Sequence, residues 1–81
     1  MTVRVRLFAV LRDRSGIAEL SLDLPDGATV AQAKEPLLER LPALREYLGR
    51  CGYAVNYGYV RADAPLHDGD ELALIPPVSG G

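Results

Sequence analysis

One cysteine, one histidine and one lysine are all that 81 residues offer of three side chains that often carry catalysis or hold metals. A structural zinc site needs three or four ligands, and His67 with Cys51 supplies two at most, so no metal is expected. Cys51 has no partner for an internal disulfide and reads as a small buried residue, not a nucleophile. His67 reads as a loop residue. No apolar run approaches the length of a membrane-spanning helix, and no signal-peptide layout is present. With a formal net charge of -2 and a pI near 5.2, the chain lacks the basic excess of a nucleic-acid or membrane-surface binder. GxGxxG and P-loop patterns are missing too. These absences point to a cytoplasmic protein that binds neither nucleic acid nor membrane.

What is present suits a small soluble domain: 48% hydrophobic and 25% charged residues, with eight glycines and six prolines. A chain of 8.7 kDa buries only about 60 to 65% of the surface exposed by its unfolded form. It can fold alone, but it has little interior for an enclosed active site. Charge is segregated along it. Residues 1 to 20 carry four arginines against two acids, whereas residues 61 to 81 carry Arg61 against Asp63, Asp68, Asp70 and Glu71. Opposite signs favour pairing of the first and last strands in one sheet. The acids could suggest a carboxylate cluster, but turn formation and solvation account for Asp68 and Asp70.

Alternation predicts a strand over 2 to 10, with Val3, Val5, Leu7 and Ala9 on the core face and Arg4, Arg6, Phe8 and Val10 opposite. Residues 11 to 16 form a connection with room for a helical turn, and Glu19 to Leu24 alternates again, completing a hairpin. Pro25-Asp26-Gly27 is a turn, after which Thr29 is placed to N-cap the main helix. Val30, Ala33, Leu37, Leu38, Leu41, Leu44 and Leu48, at spacings of three and four, fit one face of a helix. Pro36 should kink it, and Pro42 should begin a short second helix over 42 to 49, ended by Gly49 or Gly52. Tyr53 to Val60 reads as two strand pieces around Asn56-Tyr57-Gly58, and Arg61 to Leu66 as a loop or edge. Asp68-Gly69-Asp70 is a tight turn into a last strand, Glu71 to Ile75, with Leu72 and Leu74 inward. The fold class is α+β, a mixed sheet with its main helix on one face.

The remaining feature is Ile75-Pro76-Pro77-Val78-Ser79-Gly80-Gly81. Two prolines stop the strand and set an extended direction, so residues 76 to 81 form a tail beyond a domain of residues 1 to 75. Glycines without Cβ let a backbone thread a narrow channel and bring a terminal carboxylate against another protein's active site. The six tail residues span about 20 Å when extended. On composition alone this ending could equally be a frayed end.

Phe8-Ala9-Val10-Leu11-Arg12, Pro25 to Val30, Ala54-Val55-Asn56, Tyr59-Val60, Pro65-Leu66, Asp68 to Glu71 and the whole ending Ile75 to Gly81 resemble the small, sulfur-carrying subunit of molybdopterin synthase, the MoaD family. The resemblance runs nearly end to end. Pro-Pro-Val-Ser-Gly-Gly separates it from the shorter thiamin sulfur carriers, whereas Pro36 and residues 41 to 50 depart from the family pattern. The resemblance implies a β-grasp, ubiquitin-like fold whose Gly81 carboxylate is adenylated and then converted to a thiocarboxylate. The chain is then a non-catalytic sulfur-donating subunit. It binds no cofactor; ATP and a sulfur donor are used by a ubiquitin-activating-like adenylyltransferase. Residues Pro76, Pro77, Val78, Ser79 and Gly80 would thread into the active site of a large subunit, in a two-plus-two heterotetramer, where cyclic pyranopterin monophosphate receives the sulfur. The alternatives are a ubiquitin-like protein modifier joined through Gly81 to lysines, a carrier for thiamin or tRNA thiolation, and an interaction module with an inert tail. Phe8, Ile75 and Tyr59 are expected to form an apolar partner interface on the sheet face away from the helix.

Overall fold

The computed structural model describes residues 1 to 77; residues 78 to 81 of the tail lie outside the described residues. The chain forms β1 (Thr2–Leu7), α1 (Ala9–Ser15), β2 (Glu19–Asp23), α2 (Val30–Arg40), a 3-10 turn (Pro42–Leu44), α3 (Arg45–Leu48), β3 (Gly52–Val55), β4 (Gly58–Val60) and β5 (Glu71–Ile75). The five strands make one sheet in the order β2-β1-β5-β3-β4. β1 and β5 run parallel, with Arg4 opposite Glu71 and Leu7 opposite Leu74; β2 on β1, β3 on β5 and β4 on β3 are antiparallel. The first and last strands are therefore central neighbours, as their opposite charges suggest, and Arg6 meets Glu71 across the pair at 3.4 Å.

One face of the sheet is closed. Val3, Val5, Leu7, Leu72 and Leu74 point there and are all but fully buried against Val30, Ala33 and Leu37 of α2. Among the described residues no charged or polar side chain is buried, so the side chains of this core contribute through apolar burial. α2 starts where Thr29 allows it. The Thr29 hydroxyl accepts from the Gln32 backbone N–H, and the Gln32 side chain accepts from the Thr29 N–H, so both orphan donors are satisfied.

Two expectations need correction. The strand over 2 to 10 stops at Leu7, and Ala9–Ser15 is a helix that buries Leu11. Phe8-Ala9-Val10 continues the apolar alternation by residue type, but extended Phe8 and the positive φ of Ala9 (49°) turn the chain out of the sheet. Gly16, left-handed at φ 80°, then closes α1 by donating its N–H to the Arg12 carbonyl. Ala9 is accordingly exposed, not a core residue. α2 runs on through Pro36; the carbonyl that Pro36 cannot serve belongs to Gln32, which is exposed and open to water. Secondly, residues 42 to 49 form two short pieces in place of one helix. Pro42 opens the 3-10 turn, and α3 ends at Gly49 in right-handed geometry, so no left-handed cap is involved.

Candidate docking face and tail root

The other face of the sheet is open, and strand register decides what stands on it. Arg6 lies opposite Ala73, Ala73 opposite Ala54, and Ala54 opposite Tyr59. Paired residues share a face, so this row runs across four strands with two methyl groups in its middle. The result is a trough floored by Ala54 and Ala73 and walled by Arg6, Phe8, Tyr57, Tyr59, Glu71 and Ile75. Phe8 is 37% exposed, Tyr59 82% and Tyr57 86%, which makes these the large apolar groups that the described surface leaves in water. The trough holds ≈ 200 Å³, below the roughly 300 to 1,000 Å³ of pockets that enclose small molecules. It suits a protein surface better than a substrate.

Phe8, Ile75 and Tyr59, named from sequence, are brought together here. Sequence reading missed Tyr57, Arg6, Glu71 and the two alanines. Tyr57 follows Asn56 in the two-residue turn between β3 and β4, and both have positive φ, 73° and 50°. Asparagine tolerates that geometry; an aromatic residue does not prefer it. The strain is stored where the Tyr57 ring walls the trough. The sequence signal was the aromatic residue at a turn position that ordinarily favours glycine.

Asn56 also has a structural task that explains its position opposite the Asp68-Gly69-Asp70 turn. Its side-chain oxygen accepts from the Glu71 N–H at 3.0 Å, its amide donates to Asp70 Oδ1 at 3.0 Å, and its backbone N–H donates to the Glu71 carbonyl at 2.9 Å. The β3–β4 hairpin is thereby clamped to the start of β5. Partial burial of Asp70 works to raise its pKa, but the hydrogen bonds from Asn56 and from the His67 backbone, with the charge and side chain of His67, together hold it below the ordinary 3.8. His67 itself is an exposed loop residue 3.7 Å from that carboxylate.

Cys51 is 8% exposed and donates to the Tyr47 carbonyl at 3.2 Å. Burial pushes its thiol pKa up, with Lys34 and Arg50 opposing, which is the environment of an inert thiol. A second, open depression of ≈ 510 Å³ lies between residues 23 to 28 and Gln32, Glu35 and Pro36. Among the described residues no three His, Cys, Asp or Glu side chains could share a metal ion, and no helix is long and apolar enough to cross a membrane.

The tail root is fixed by the sheet. Ile75 is opposite Gly52 on β3, so Pro76 and Pro77 leave from the end of the central strand, directly beside the trough. Pro76 is half-buried and Pro77 exposed; Val78, Ser79, Gly80 and Gly81 lie outside the described residues.

A five-stranded mixed sheet that grips one main helix, with parallel terminal strands at its centre, defines a β-grasp, ubiquitin-like domain. Comparison with known proteins narrows the class. The profile of the ThiS family matches residues 5–81. The molybdopterin synthase sulfur carrier subunit of Chlamydomonas reinhardtii is 39% identical, the match covering 100% of both chains. Among solved structures, SAMP1 from Haloferax volcanii superposes with a TM-score of 0.89 at 31% identity over 100% of both chains. A chain in the complex of subunits 1 and 2 of molybdopterin-converting factor from Helicobacter pylori 26695 superposes at 0.69 with 30% identity, again over 100% of both. The chain belongs to the ThiS family, and along its whole length it is similar to the molybdopterin synthase sulfur carrier subunits within it.

Proposed function

We propose that this protein is the sulfur carrier subunit of a molybdopterin synthase, acting in molybdenum cofactor biosynthesis. The observation that carries the reading is the end-to-end similarity to a protein of that name, coupled with a tail that leaves the central strand beside an exposed apolar trough. In this reading an oxygen of the Gly81 carboxylate attacks the α-phosphorus of ATP on an activating enzyme and pyrophosphate leaves. Sulfide-level sulfur from a donor then attacks the carbonyl carbon of this acyl adenylate and AMP leaves, so that a thiocarboxylate remains. Activation is needed because a free carboxylate is a poor electrophile.

The domain next docks on the large subunit through Phe8, Tyr59 and Ile75. Its tail carries the sulfur to cyclic pyranopterin monophosphate, and two such transfers build the dithiolene. The division of labour follows from size. A domain too small for an enclosed pocket supplies a nucleophile on an arm, while its partner supplies the acid, base and anion-binding groups. The Helicobacter pylori complex of two converting-factor subunits supports a large-subunit partner.

A second reading has its own support. The likeness to SAMP1, a small archaeal modifier protein by name, fits a chain joined through Gly81 to lysines of other proteins. Both uses begin with the same adenylation and diverge at the acceptor. Supplying activating enzyme, ATP and a sulfur donor separates them, since the carrier gains mass at its own end and the modifier appears in conjugates.

A further inference from the structure

The trough is apolar except at one corner, where Arg6 and Glu71 stand together. Arg6 Nη1 donates to Glu71 Oε1 at 3.4 Å, near the outer limit of a hydrogen bond. The guanidinium also lies 5.5 Å from the centroid of the Phe8 ring, within cation–π range. The Arg6 side chain is 40% exposed and that of Glu71 16%, so the carboxylate is the deeper of the two and the guanidinium reaches outward. Glu19 is opposite Arg6 on β2, yet among the described residues no ion pair joins them.

We propose that Arg6 is a specificity-determining residue of the docking face, and that the partner surface covering the trough presents a carboxylate to it. The inference rests on the docking reading above and goes beyond it by naming the polar chemistry opposite. A guanidinium carries five N–H donors in a planar fork. Among the described residues the bond to Glu71 engages one of them, and the exposed part of the fork faces solvent while the face is open. Covering the face removes that solvent. Apolar partner side chains seated over Ala54 and Ala73 then lie directly beside donors that have lost their acceptors, a costly arrangement unless the partner replaces them. A carboxylate matches the free edge of the fork with two parallel bonds, and the Phe8 stack holds the guanidinium for that approach. A partner with only apolar groups at this corner is rejected, because Arg6 would be stranded.

The test measures binding of the full chain to the large synthase subunit at low and moderate salt. Wild type should weaken as salt rises. Arg6→Met should bind at least tenfold more weakly and lose most of that salt dependence, whereas Arg6→Lys should keep the salt dependence and recover only part of the affinity. Equal or tighter binding by Arg6→Met, or salt-independent binding by wild type, overturns the proposal. So does full recovery in the Arg6→Met, Glu71→Gln double variant, which would mean that Arg6 merely neutralises Glu71. Failure of the docking reading shows separately, as an unchanged affinity for Phe8→Ala.

Discussion

Phe8 illustrates how a residue outside the core acquires a function. It follows β1 in extended geometry and N-caps α1 without a side-chain hydrogen bond, so its ring is free to wall the trough. Phe8→Ala should leave the fold intact and weaken binding to the large subunit by more than about 1 kcal/mol, as expected for a central aromatic anchor; titration calorimetry with a thermal melt of the free chain measures both. Asp70 makes the complementary prediction in stability. Its folded pKa lies below the ordinary 3.8, so its stabilising contribution is fully present above that value and is lost as pH falls through the lowered folded pKa. Melting temperature should therefore drop on acidification below about pH 4, and Asp70→Asn should flatten that part of the profile. An Asp70→Asn profile as steep as that of wild type would remove this carboxylate from the account.

At the scale of elements, much of the fold is legible in the sequence because period and burial agree. Val3, Val5 and Leu7 alternate, and their strand pairs with the one carrying Leu72 and Leu74, as the charge segregation suggests. Thr29 is recognisable as a cap from its chemistry alone. The β1–α1 boundary is not legible, since Phe8-Ala9-Val10 satisfies both periods and the decision falls to Leu11, which is buried only if the chain turns. Residues of the trough are harder still: Arg6, Ala54 and Ala73 become neighbours through register between distant strands, which no local pattern encodes. Pro36 offers a test of the helix. It sits within α2, where proline is about 3 kcal/mol worse than alanine, partly offset by the unfolded-chain entropy it removes. Pro36→Ala should raise stability by about 1 to 3 kcal/mol in urea titrations, and a neutral or destabilising result would show that the ring packs to advantage. Thr29→Ala should lower it by about 0.5 to 2 kcal/mol through loss of the cap.

At the scale of the whole molecule, the proposed function needs a domain that folds and an arm that reacts. Among the described residues the core ends with Leu74, and Gly80 and Gly81 follow beyond the prolines in sequence, so removing Gly81 should barely move the melting temperature. Reach should suffer instead. One residue less is about 3.3 Å, and misplacing a reacting atom by about 1 Å can lower a rate a hundredfold. Gly81→Ala keeps the reach but adds a Cβ, while a residue appended after Gly81 turns its carboxylate into an amide. All three variants should fold; the extension should abolish AMP formation, and the other two should lose most sulfur transfer. The most direct measurement is the intact mass of the wild-type chain after incubation with its activating enzyme, ATP and a sulfur donor. A gain of about 16 Da at Gly81 is expected, the exchange of one oxygen for sulfur. An unchanged mass despite AMP release, or Gly81 found only in amide linkage to lysines of other proteins, would contradict the proposed function.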